Sequence, residues 1–436
     1  MKAKVIKIFF SVVLLIGLSC KNEPTKTEHR AIKLTAEDAS CIEAWLRIEV
    51  WTKPSTVILQ KGDSTIATLQ LTTMDTVIVD EGLQPNQMYQ YSAQLISPIP
   101  PVWLDDNLTS QVQVQTMDTT SHDFRWEIYT LGDGTGSSCL YDVAIINDTL
   151  AYAVGEIYQD YNKDYQIYNA AKWNGRKWEL MRIPFIGSCS AVDYPPLKAI
   201  WAFSSTNILV TNGGSIVTYD GVNGTMDCRM NSLLTGAINK IWATSPSDVY
   251  IVGNNGLIAH YDGSRWRRIE SGTELQFLDI FGATDPKTGD QQILAVCTQN
   301  YPGNRGIYSI KGNTAIQISS YPIQWELFSV WFVPNRHYYV VGGAYYEKRM
   351  LTDYQWKKFY PPTRYAASSI RGNKINDVVI VGAYGECMHW NGIGWRSYQN
   401  VTGLGNGSYA SIAIKNNLLI AVGENNARAI TLIGRR

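Results

Sequence analysis

Five histidines, at positions 29, 122, 260, 337 and 389, are the first residues to weigh for acid–base or metal chemistry. None stands at chelating distance in sequence from another, and no serine or cysteine completes a nucleophile pattern with them. His29 and His122 fall in linkers. His260 and His389 hold one position of a repeat, immediately before Tyr261-Asp262-Gly263 and Trp390-Asn391-Gly392, which gives both a structural role; His337 opens a strand. Asp160, Asn162 and Asp164 have the alternating oxygen spacing that begins a calcium loop. Tyr165 then stands where that loop needs Gly, and Ala171 where it needs a bidentate Glu. Gly132 to Gly136 joins two strands and offers no helix N-terminus to hold phosphate. No catalytic set, metal or cofactor is expected. The rival reading is a carbohydrate-active enzyme, hydrolase or transferase, with acids such as Asp133 and Glu156 in a central funnel.

Recognition chemistry is better represented. Long irregular segments carry Tyr158, Tyr161, Tyr165, Tyr194, Tyr301, Arg305, Tyr345, Tyr346, Arg364, Tyr365 and Tyr384. Tyrosine and arginine dominate binding surfaces because each combines a large contact area with a polar handle. These eleven residues are the expected ligand-binding set, the ligand being a protein or a glycan. Lys plus Arg and Asp plus Glu each count 38. A balanced charge argues against a nucleic-acid partner, whose phosphates need clustered cations.

The elements that must position these residues repeat. An apolar strand ends in Ile-Trp or a variant at Ile200-Trp201, Ile241-Trp242, Ile280-Phe281 and Val330-Trp331. A second strand ends in Val-Gly at 154–155, 252–253, 341–342, 381–382 and 422–423, with Asn212 and Cys297 at the corresponding point of two weaker copies. A third ends in an aromatic before Asn-Gly or Asp-Gly, as in Trp173-Asn174-Gly175, and Trp178, Trp266 and Trp395 follow at a fixed offset. Asn-Gly and Asp-Gly predict two-residue type I′ hairpin turns, across which the flanking aromatics pair. A period of roughly 40–45 residues per four-stranded unit is that of a β-propeller blade. Seven units are counted. The last lacks its fourth strand, and Arg125-Trp126-Glu127-Ile128-Tyr129, ahead of the first unit, supplies it, closing the ring and removing two exposed edges. The b–c loops and the connections between blades then share one face, the face carrying the tyrosines, while the c–d turns are minimal.

This repeat, over 124–436, resembles bacterial propellers related to the photosynthesis-system assembly factors and to the Asp-box, sialidase-like repeats. The resemblance implies the fold. It departs from the sialidase box, because Asp262 and Gly263 are adjacent, and no catalytic residue is carried across. An assembly factor for a membrane complex is the further reading it implies.

Upstream, residues 31–117 show about seven short alternating strands, an immunoglobulin-like sandwich. The spacing of Leu83, Pro85, Tyr89 and Tyr91 resembles the tyrosine corner of fibronectin type III domains, in which a Tyr hydroxyl bonds back to the turn entering its strand. Residues 118–123 make a linker. At the N-terminus, Lys2, Lys4 and Lys7 precede an apolar run from Ile8 to Leu18, too short to span a bilayer. Ending in Gly17-Leu18-Ser19-Cys20, it resembles a bacterial lipoprotein signal (1–19). That resemblance implies lipid attachment at Cys20, a tether over 20–30, and a cell-envelope location on the outer membrane, facing the periplasm or the cell surface. None of the seven cysteines has zinc spacing. In an exported protein, Cys139 and Cys189 are the candidate disulfide, since both open loops assigned to one face. The expected molecule is an anchored, non-catalytic binding protein.

Overall fold

The computed structural model describes residues 30–98, 107–160, 167–187, 190–299 and 303–436. The signal segment, Cys20, Tyr161, Tyr165, Tyr301 and Cys189 lie outside the described residues. The chain is all-β: its helices, among the described residues, are a 3-10 turn at Cys228–Met230 and the short Gln399–Thr402. No described helix is long and apolar enough to cross a membrane. The described residues divide into two compact units, one of 30–39, 44–81 and 88–115, the other of 40–43, 82–87 and 116–436.

The first unit holds two antiparallel sheets. Ile32–Ala39, Glu43–Val50 and Asp75–Glu81 form one; Ser64–Leu71, Ser55–Lys61, Met88–Ser97 and Thr109–Gln115 form the other, in that spatial order. Trp45, Leu46, Val57, Leu59 and Tyr91 are buried, Val57 and Leu59 by alternation along their strand and the consecutive Trp45 and Leu46 beside a shift in register. The Tyr91 hydroxyl donates to Asp80 Oδ2 at 2.6 Å. That partner lies on a strand and not on the entering turn, because the preceding sequence carries a carboxylate within reach.

In the second unit the described residues form seven sheets, six of them wholly antiparallel. Their first strands are Cys139–Asn147, Ala199–Ser204, Ile238–Ser245, Gln276–Thr284, Leu327–Val333, Ala367–Lys374 and Ser408–Lys415. Each of these packs against the next, and the seventh packs against the first. Seven sheets in an open row would have six interfaces. Here seven apolar layers are present, the seventh joining Ala151, Ala153 and Trp173 of the first sheet to Leu418, Ile420 and Val422 of the last. The last sheet takes its outer strand, Arg125–Leu131, from before the first sheet, paired antiparallel with Arg428–Arg435. The second sheet departs from the four-stranded plan: Phe185–Gly187 runs parallel to Gly224–Met226 and carries Ser190–Asp193 outside it.

The hairpins between third and fourth strands correct the turn assignment. At Asn174, Asp220, Asp262 and Asn391 the backbone keeps negative φ, and only the following Gly is positive, at 92°, 98°, 87° and 103°. Type I′ needs positive φ at both central residues, so a single positive φ excludes it. The Asn or Asp serves as acceptor: Asn174 Oδ1 takes the N–H groups of Arg176 and Lys177, each at 3.0 Å, and Asp262 Oδ1 those of Ser264 and Arg265, also at 3.0 Å. The fifth sheet lacks the short turn, since residues 349–356 separate its third strand from Lys357–Lys358.

Candidate functional site

In an antiparallel four-stranded sheet, the link between second and third strands emerges at the same end as the connection to the next sheet. Tyr384 sits in the first kind of link and Tyr365 in the second, and the fold brings their rings to 4.8 Å. Both are exposed, at 46% and 36%. Beneath them the buried Tyr345 hydroxyl donates to the Tyr365 carbonyl at 2.6 Å, and Arg364 lies exposed beside them. Trp325, 41% exposed, stands on the preceding connection.

Tyr384 is held at φ 59°, a left-handed conformation that a bulky residue adopts at a cost. The matching link of the third sheet, Val252-Gly253-Asn254-Asn255-Gly256, puts Asn255 at φ 54°, and Asn tolerates that region. The sixth sheet therefore carries an aromatic where the local backbone favours Asn.

The rest of the expected set is dispersed or buried. Tyr158 is half-buried with its hydroxyl on Glu156 Oε2 at 3.1 Å. Tyr194 is half-buried on the connection into the second sheet, and Arg305 opens a strand of the fourth, donating to the Gly303 carbonyl. Tyr345 and Tyr346 were expected in a loop; they belong to the strand Tyr345–Lys348 and are 6% and 3% exposed. The cause is a minimal link, Gly343-Ala344, closed by Gly342 N–H donating to the Ala344 carbonyl. The disulfide expectation fails at Cys139, which is free, whereas Cys228 is disulfide-bonded.

The two acids of the enzyme reading are engaged by their own surroundings. Tyr141 and Tyr158 donate to the two Glu156 oxygens. Asp133 is exposed and lowered to about 2 by the Thr135 hydroxyl, with the Thr135 and Asp160 backbone N–H groups adding to it. No group of three His, Cys, Asp or Glu among the described residues could hold a metal ion.

Sequence reasoning missed the axis of the second unit. The residue before each Ile-Trp-like pair holds one register position, and six of the seven, Asp142, Lys240, Asp279, Ser329, Ser369 and Ser411, face the space the seven first strands enclose, while the seventh is the buried Ala199. Asp142 accepts from Lys240 Nζ at 2.6 Å, Ser411 Oγ at 2.8 Å and Ile200 N at 3.1 Å. Asp279 accepts from Arg371 Nη1 and Nη2 at 2.8 and 2.7 Å, from Ser329 Oγ and from Val330 N. Burial raises the Asp279 carboxyl, but Arg371, Lys240 and Ser329 more than offset it, and it lies below the ordinary range. The polar residue at a fixed place in an otherwise apolar strand was the available signal. Below and above this belt are cavities of about 290 and 80 Å³.

His122 and His389 also meet, Nδ1 to Nδ1 at 2.9 Å, with His389 Nε2 on Asp377 Oδ1 at 2.9 Å and Arg436 on the other Asp377 oxygen. They tie the segment before the outer strand to the sixth sheet and the final residue.

No family model matches the chain, and no curated protein matches it. Solved structures do. YCF48 bound to a D1 peptide is 14% identical, with a TM-score of 0.53 over 73% of this chain and 100% of that one. The WD40 β-propeller domain of Doa1 is 12% identical, TM-score 0.52, over 71% and 97%. A catalytically inactive virginiamycin B lyase from Staphylococcus aureus with quinupristin is 12% identical, TM-score 0.50, over 71% and 99%. At such identities the likeness is one of fold: the second unit is a β-propeller. That fold hosts both peptide binding and catalysis among these neighbours, so function rests on the site.

Proposed function

We propose that this is a lipid-anchored binding protein of the cell envelope, with Cys20 acylated, a fibronectin type III-like sandwich over 31–117 and a seven-bladed β-propeller over 124–436. The propeller captures a protein partner through the face bearing Tyr365 and Tyr384, as a scaffold or assembly factor does. One observation carries the reading: an exposed aromatic pair at 4.8 Å, one member of which occupies a left-handed position that suits Asn. Strain kept at a surface position points to selection for something other than folding, and aromatic and Arg anchors dominate protein interfaces. The peptide-bound YCF48 structure supports a protein ligand for this fold.

The test is capture from solubilised envelope membranes with the tagged full chain, wild type against Tyr384→Asn and Tyr365→Ala. Asn suits the backbone at 384, so Tyr384→Asn keeps the fold and loses the partner. Equal recovery of partner by both variants, or binding confined to a glycan array, overturns the proposal.

A further inference from the structure

We propose that the lower axial cavity binds a small amphipathic carboxylate, an apolar ring or short chain bearing one acid group. This site opens at the end of the channel opposite the tyrosine face and is independent of it. Its volume is about 290 Å³, just below the roughly 300–1,000 Å³ of typical ligand pockets, so it admits one ring with its substituent and not a stretch of polymer. Trp201, Trp242 and Phe281 line it among aliphatic side chains.

The charge at its ceiling is asymmetric. Lys240 and Arg371 are each 15% exposed, whereas their partners Asp142 and Asp279 are 3% and 4% exposed. The carboxylates sit behind the cations and are spent on protein donors: Asp142 takes Lys240, Ser411 and the Ile200 N–H, and Asp279 takes Arg371, Ser329 and the Val330 N–H. Lys240 Nζ, by contrast, bonds Asp142 Oδ1 alone among the described residues. An ammonium has three N–H donors, which leaves two for a guest. Lys415, exposed, adds a third cation at the lower end. Among the described residues, Asp142 is the one carboxylate on the cavity wall against these three cations. An apolar chamber in which the cation is the more exposed member of each ceiling ion pair selects an anion with an apolar body, its acid group accepting from Lys240 and its ring lying among the aromatics.

A free acid and the C-terminal residue of a polypeptide share this chemistry. The full chain in detergent is titrated with phenylacetate, phenylacetamide and phenethylamine, following tryptophan fluorescence and calorimetry. A short peptide ending in Phe is run as free acid and as amide. Saturable binding of phenylacetate, at least tenfold tighter than of the amide or the amine, is expected. Phe281→Leu and Lys415→Gln, which leave the buried ion pairs intact, weaken it several-fold. Comparable binding by the peptide acid assigns a polypeptide terminus, and its exclusion assigns a free acid. Absence of saturation, or equal affinity for acid and amide, overturns the proposal.

Discussion

The Lys240 ammonium meets the Asp142 carboxylate at 2.6 Å although a whole strand, Ala199–Ser204, runs between theirs. Ala199 at the intervening ring position has no side chain long enough to obstruct the reach. Arg371 spans the fifth sheet to Asp279 in the same manner. Cross-ring ion pairs of this kind hold together strands that share no backbone hydrogen bonds, because neighbouring sheets pack through side chains.

Removing one partner of such a pair should therefore be costly. A broken buried pair costs about 3–5 kcal/mol, and Asp142 retains Ser411 and the Ile200 N–H, so Lys240→Met is expected to cost about 2–4 kcal/mol. Adding Asp142→Asn should recover part of the loss, since no orphan charge then remains. Urea denaturation of the wild type and the two variants checks this. A loss near zero for Lys240→Met would mean the pair is solvated like a surface bridge.

Gly282→Ala should destabilise through space alone. Its φ is not left-handed, but a Cβ there would lie 2.4 Å from two ring carbons of Trp242 on the neighbouring sheet. Overpacking of this sort costs about 1–3 kcal/mol. Gly394→Ala is the control, having nothing within 4 Å of its Cβ position, and should leave the thermal midpoint unchanged.

These two positions mark what was legible in the sequence. The Ile-Trp phrase announced four of the seven first strands, and Asn-Gly or Asp-Gly announced four of the outer hairpins, because local turn chemistry and alternation are written in adjacent residues. Gly282 facing Trp242, and Lys240 facing Asp142, depend on which sheet follows which around the axis, and no local pattern encodes that. Tyr345 and Tyr346 were misplaced for the opposite reason. Abundant tyrosine reads as surface, yet a two-residue link returned the chain to the sheet at once. Tyr365 and Tyr384 were legible as residues, and their pairing was not.

Acid should loosen the tie between His122 and His389. Burial, with His389 and Arg396 adding to it, lowers His122 to about 4, and burial lowers His389 despite Asp377. Both stay neutral in the fold, whereas in the unfolded chain they protonate near pH 6.5. The unfolded state binds more protons as pH falls, so the stability they contribute is complete above about 6.5 and is lost between there and about 4. Allowing for screening of the half-exposed His122, the loss is on the order of 1–2 kcal/mol. Urea midpoints measured from pH 7.5 to 4.5 should fall in wild type and fall less in His122→Phe.

Thiol mapping should separate the cysteines. Alkylation of the denatured, unreduced chain followed by peptide mapping should label Cys41, Cys139, Cys297 and Cys387, while Cys228 is recovered labelled only after reduction. Labelling of Cys228 without reduction would remove the disulfide, and with it an argument for an oxidising compartment.

Backbone exchange tests the closure on which the axial belt and the tyrosine face both depend. Arg125–Leu131 is an outer strand whose one sheet neighbour among the described residues, Arg428–Arg435, lies some 300 residues on, with Ile128 opposite Leu432 and Trp126 opposite Gly434. Gly434 accommodates the Trp126 ring, since a Cβ there would sit 2.5 Å from it. Strands that pair should open together, as cooperative units do. Amides of 125–131 that donate to the last strand should exchange at the rate of their partners, and Gly434→Val should accelerate exchange in both segments while leaving the third sheet unchanged. Rapid exchange of 125–131 in the wild-type chain, with 428–435 protected, would leave the seventh sheet three-stranded and the ring unfastened at that point.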